Sequence, residues 1–108
     1  MSGQHNELSR LKLKLDKTIR EINQEVINPE IPELTLEDLE PVLHLVAKSR
    51  AAYLKQLFQA TLAAGKGLPK PEVIDQLAEK REMYEELLKA TQALETAIER
   101  GYLDVIGS

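Results

Sequence analysis

Between Leu8 and Val26 the apolar residues Leu8, Leu11, Leu15, Ile19, Ile22 and Val26 return at steps of three and four, while Arg10, Lys14, Lys17 and Glu21 take the opposite side. An α-helix turns once in about 3.6 residues, so this spacing lines one helix face. The pattern predicts a first helix over about 5–27, with Leu13 alone outside the stripe. Asn28-Pro29 ends it, because the residue before a proline is pushed out of the helical region. NPEIPEL follows, a stiff and extended corner by its two prolines, with Ile31 and Leu34 available to tuck beneath the helix ends.

Thr35 with Asp38 resembles a capping box, and Leu34 with Leu39 has the spacing of a hydrophobic staple. Glu37, Asp38 and Glu40 stand where the positive end of a helix dipole stabilises acids. Pro41 then removes the donor that the Glu37 carbonyl would use, so a bend or kink is expected between a capping turn at 36 and a helix body over 42–64. Leu43, Val46, Tyr53, Leu54, Leu57 and Phe58 form the predicted inner face, and Gly65 the left-handed stop. After the corner GKGLPKP, Pro71 at the first helical position opens a third helix, with Glu72 and Asp75 in its first turn. Val73, Leu77, Tyr84, Leu87, Thr91, Leu94 and Ile98 share one face, and Gly101 ends the helix. The stripe widens to Met83, Ala90 and Ala97, the width of a helix with two neighbours, and this helix is expected to be the longest of the three.

Short corners make consecutive helices antiparallel. The expected fold is therefore all-α: an up-down-up antiparallel three-helix bundle with long helices (about 5–27, 36/42–64 and 71–100), or a helical hairpin completed by dimerisation. A chain of 108 residues suits a single core, so one domain over 1–108 is expected, with tails at 1–4 and 102–108.

Composition narrows the function classes. No apolar run approaches the roughly 20 residues that cross a bilayer, and MSGQHNELSRLK lacks the apolar stretch of a secretory signal. A cytoplasmic protein with no membrane partner is expected. The absence of cysteine excludes disulfides, thiol catalysis and thiolate zinc sites. Charge alternates in blocks of +2 over 1–21, −6 over 22–41, +5 over 42–71 and −5 over 72–108, so helices placed side by side would attract one another. The net charge of −4, the long second corner and the acidic third helix argue against nucleic acid as a partner.

Catalytic patterns are missing as well. Glu40 and His44 are four apart with no second Glu-His pair to make a di-metal site, His5 lies near the chain start, and Ser9 and Ser49 belong to no nucleophile motif. GKG lacks the spacing and the preceding strand of a phosphate-binding loop. No catalytic residue, cofactor or metal ligand is assigned.

Arg50 interrupts the apolar face of the second helix. A guanidinium buried alone is costly, so it must reach the rim, pair with a carboxylate, or bind an anion. Counting back from the second corner sets it opposite the neighbourhood of Tyr84, and Arg50, Tyr53, Lys80 and Tyr84 make a candidate anion pocket. In size the chain is similar to the all-helical chorismate mutases, dimers of three-helix chains that bind a dicarboxylate with arginines and a lysine. The candidate partner surface comprises the acidic corner (Glu30, Glu33, Glu37, Asp38 and Glu40), Met83, and the apolar tail residues Tyr102, Leu103, Val105 and Ile106. The expected function is non-catalytic protein–protein interaction, as adaptor, chaperone or regulatory subunit, with another protein or a second copy as partner. The alternative is a small all-helical enzyme or sensor that binds an anionic metabolite around Arg50.

Overall fold

The computed structural model describes residues 2–31 and 33–106, with side chains from residue 6 onward. Met1 and residues 107–108, the outermost parts of the expected tails, and the His5 side chain lie outside the described residues. The chain is all-α, with three helices: α1 (Ser2–Ile27), α2 (Leu36–Ala64) and α3 (Pro71–Glu99). Two strands of two residues each, β1 (Leu34–Thr35) and β2 (Val105–Ile106), complete the secondary structure.

The helix ends fall where the local chemistry requires. α1 stops ahead of Asn28-Pro29, where the Asn28 N–H donates to the Gln24 carbonyl and those of Glu30 and Ile31 to the Ile27 carbonyl, each at 3.0 Å. α2 ends at Gly65, whose φ of 58° lies in the left-handed region that closes a helix without a Cβ penalty. α3 opens on Pro71, with the Lys70 carbonyl accepting from the Val73 and Ile74 N–H groups at 3.0 and 3.2 Å. Its C-terminus is a Schellman motif. The Tyr102 N–H reaches back to the Ala97 carbonyl at 2.8 Å, the Gly101 N–H to the Ile98 carbonyl at 3.1 Å, and Gly101 adopts φ 72°.

α2 runs as one helix from Leu36 through Pro41. The proline falls in the second turn and deprives only the Glu37 carbonyl of its helical donor, while Glu37 and Asp38 complement the dipole in the first turn. α2 and α3 are consequently both 29 residues long, and α3 does not outrun its neighbour.

The chain gathers into two compact units: Glu37–Leu94, and Met1–Leu36 together with Glu95–Ser108. In the first, α2 and α3 pack antiparallel across the 65–70 corner. Gln56 donates to Gln76 at 3.4 Å near the corner, and Arg50 to Tyr84 at 3.1 Å further out. The buried residues of α2 are Val46, Ser49 and Ala60, with Tyr53 and Gln56 half-buried between them. That line differs from the predicted inner face. Leu43, Leu54, Leu57 and Phe58 are exposed, Phe58 by 68 %. The seam runs instead through small residues. Ser49 is buried with its hydroxyl on its own Val46 carbonyl at 2.8 Å, and Ala60 is 3 % exposed. On α3 the buried residue is Thr91, its hydroxyl on the Leu87 carbonyl at 2.8 Å, amid the half-buried Val73, Leu77, Tyr84, Leu87 and Leu94. Each buried hydroxyl is therefore satisfied within its own helix, as burial of a polar group demands.

In the second unit the segment after α3 returns to α1. Gln24 donates through Nε2 to the Gly101 carbonyl at 2.6 Å. β1 and β2 pair in parallel, Leu34 opposite Val105 and Thr35 opposite Ile106. Leu103, 2 % exposed, is the most buried apolar residue described. Residues 102–106 thus fold back within this unit, with Leu103 buried and Tyr102 and Val105 half-buried.

Candidate functional site

Three of the four candidate pocket residues meet on the α2–α3 hairpin. Arg50 extends along α3 so that its Nε donates to the Tyr84 hydroxyl at 3.1 Å, and its Cζ lies 5.3 Å from the Tyr84 ring centroid. Tyr53, one turn further along α2, tilts against the same ring, centroids 6.1 Å apart and planes 33° apart. A cation against an aromatic face and two offset rings are each attractive through the ring quadrupole. Lys80 is half-buried one turn before Tyr84, and no hydrogen bond joins it to the other three among the described residues. Arg50 itself is exposed, so its charge keeps its hydration. The cluster can present the outer guanidinium nitrogens of Arg50, held in place by Tyr84, to an anion.

The candidate partner residues divide between the two units. Glu30 and Glu33 lie on the exposed corner of one unit, whereas Glu37, Asp38 and Glu40 lie on the exposed start of α2 in the other. Met83 is exposed on α3. In the tail, Leu103 is buried, Tyr102 and Val105 are half-buried, and Ile106 is exposed.

The tail residue Tyr102 enters a cleft of about 440 Å³ lined by Asp16, Ile19, Arg20, Arg100 and Tyr102. The hydrogen bond to Tyr102 raises the Arg100 guanidinium above its ordinary value, helped by the charges of Tyr102, Asp16 and Glu99. A second, more open cleft on α2 is lined by Glu40, Leu43, His44 and Ala47. No group of three or more metal-ligating side chains converges among the described residues, and none of their helices is long and apolar enough to cross a membrane.

One surface feature was not singled out in the sequence. α2 carries a second apolar stripe, Leu43, Ala47, Ala51, Leu54, Phe58 and Leu62, on the side turned away from the seam, and all six are exposed. Leu62 is 82 % exposed. Arg50 borders this stripe on one flank and Lys48 and Lys55 on the other, within a segment from 42 to 71 that contains no acid. The signal was present as two interleaved sets of three- and four-residue steps on one helix. Only the choice of partner face could separate them. Comparison with protein-family models, with curated proteins and with solved structures finds no match.

Proposed function

We propose that this is a non-catalytic interaction protein, an adaptor, chaperone or regulatory subunit of the cytoplasm, whose working surface is the outer face of α2. The observation that supports it is the stripe from Leu43 to Leu62, exposed along five turns and flanked by cations on both sides. A contiguous apolar surface of that kind marks an interaction site on a water-soluble protein. Its flanking charge selects the partner: an amphipathic helix with an acidic polar face, laid along α2 with its apolar residues against Leu54 and Phe58.

The test is a titration of the full chain with a synthetic amphipathic helix bearing leucines on one face and glutamates on the other. Saturable shifts in the NMR signals of Leu54, Phe58 and Leu62, lost in Phe58→Asp, are the expected result. Equal binding of a lysine-faced version, or shifts confined to other surfaces, would overturn it. Adsorption to anionic vesicles without peptide binding would make the face a membrane surface instead.

A second reading, an anionic metabolite held at Arg50 by an enzyme or sensor, is favoured by one observation: the Tyr84 hydroxyl fixes Nε while the guanidinium remains exposed. Ligand binding lost in Arg50→Leu, with the fold retained, would support it.

A further inference from the structure

The cleft lined by Asp16, Ile19, Arg20, Arg100 and Tyr102 lies wholly within the unit of α1 and the segment after α3, and neither reading of α2 uses it. Asp16, Ile19 and Arg20 stand at i, i+3 and i+4 of α1 and so share one face. Backbone contacts hold the facing wall in place. Gly101 turns in the left-handed region, the Tyr102 N–H closes on the Ala97 carbonyl at 2.8 Å, and Gln24 of α1 holds the Gly101 carbonyl at 2.6 Å. The Arg20 Cδ lies 3.5 Å from where a Cβ on Gly101 would stand, which brings Arg20 alongside the residue next to Arg100.

Two guanidinium groups therefore share a cleft of about 440 Å³ with a single carboxylate. Among the described residues neither arginine has a carboxylate oxygen within 4.0 Å. Asp16 and Glu99 act on Arg100 only through their charge, and Glu21, next to Arg20 in sequence, is turned to Lys17 at 3.9 Å. The Tyr102 oxygen accepts from Arg100, which leaves the phenol its own proton to donate. Cations gathered without direct counter-ions repel one another, and an anion between them relieves that repulsion.

The charge balance selects the anion. A monocarboxylate would leave one guanidinium uncompensated, whereas a phosphomonoester carries a charge of about −1.5 to −2 at neutral pH and three acceptor oxygens. Guanidinium forks match those oxygens in pairs. The volume falls toward the small end of ligand sites, which run from about 300 to 1,000 Å³, so the ligand is a small molecule. Asp16 and Ile19 are left for its carbon part, the one to accept from a hydroxyl and the other to give apolar contact. We infer that this cleft binds a small hydroxylated phosphomonoester, its phosphate held by Arg20, Arg100 and the Tyr102 hydroxyl and a hydroxyl of its carbon part held by Asp16. The inference is independent of both the outer face of α2 and the cluster at Arg50.

Side-chain NMR of the full chain tests it, with inorganic phosphate and glycerol 3-phosphate as probes at low salt and about pH 7.5, where phosphate is mainly dianionic. Saturable shifts at the Arg20 and Arg100 side chains, the Tyr102 ring and the Ile19 methyls are the expected result. Glycerol 3-phosphate should bind about three- to tenfold tighter than inorganic phosphate through its hydroxyls. Arg20→Gln and Arg100→Gln should each weaken both probes about tenfold, and the lysine variants, which keep the charge but lose the fork, by less. Lys14→Gln removes the same charge from an exposed position of α1 outside the cleft and should change binding by no more than about twofold. Asp16→Ala should tighten inorganic phosphate and abolish the advantage of glycerol 3-phosphate. Unchanged amide signals of Gln24 and Leu103 would show that the unit stays folded in each variant. Acetate binding as tightly as phosphate would overturn the inference. So would equal weakening in Lys14→Gln, or shifts that never saturate and spread over the surface lysines.

Discussion

Arg50 and Tyr84 join the two long helices: the Nε–hydroxyl bond of 3.1 Å and the 5.3 Å approach of Cζ to the ring both link α2 to α3. The pair is exposed on the arginine side, so its contribution is small. A double-mutant cycle with Arg50→Leu and Tyr84→Phe, read by urea unfolding, should give a coupling of about 0.5–1 kcal/mol. Neither substitution should alter the helical content.

Packing makes a sharper prediction. Ala60→Leu places three extra carbons at a site only 3 % exposed and should destabilise the chain by about 1–3 kcal/mol. Phe58→Ala removes a far larger side chain from water-exposed surface, and the unfolding free energy of the dilute protein should move by no more than about 0.5 kcal/mol. The reverse ranking would mean that Phe58 faces the core.

This ranking marks the boundary of what the sequence shows. Helix ends were legible because their signals are local: Pro29 and Pro71 restrict φ, and Gly65 and Gly101 supply the positive φ of the stops. Counting residues across a short corner brings Arg50 to the neighbourhood of Tyr84, and the structure supplies the bond itself. On α2 the sequence pattern places Val46 and Tyr53 on the inner line but weights the large residues Leu43, Leu54, Leu57 and Phe58 over the small Ser49 and Ala60, which are the ones buried. The stripe of α1 was legible as a pattern, but a pattern does not say what covers it. The β1–β2 pair leaves almost no trace, since two-residue strands have no period and their partners stand far apart in sequence.

The two left-handed glycines offer a comparison free of packing. Gly65→Ala and Gly101→Ala should each cost about 1 kcal/mol, since a Cβ at Gly65 meets nothing within 4 Å and one at Gly101 meets only the Arg20 Cδ at 3.5 Å. Gly67, with no positive φ and only the Ala64 carbonyl oxygen at 3.6 Å, should accept alanine within about 0.5 kcal/mol. Thermal unfolding of the three variants would check the order.

Leu103 is the largest of the buried apolar side chains described, at 2 % exposure. Leu103→Ala should cost about 2–4 kcal/mol, the range for emptying a buried leucine site. Amide exchange should show the loss concentrated in Gln24, β1 and β2, with the protection of α2 and α3 near the corner unchanged.

The parallel pairing of Leu34 with Val105 has a consequence for the order of folding. The two residues stand 71 positions apart, and everything between them, the entire α2–α3 hairpin included, is a loop to be closed. Closure entropy grows with the length of the open loop, whereas the hairpin zips from a corner of a few residues. The hairpin therefore forms first and shortens the gap, and the clasp of β1 on β2 comes last. On the ribosome the clasp cannot begin until Val105 has emerged, six residues behind the end of α3. Under load or mild denaturant the same clasp is the first to open, releasing the two flanking segments while α2 and α3 remain paired.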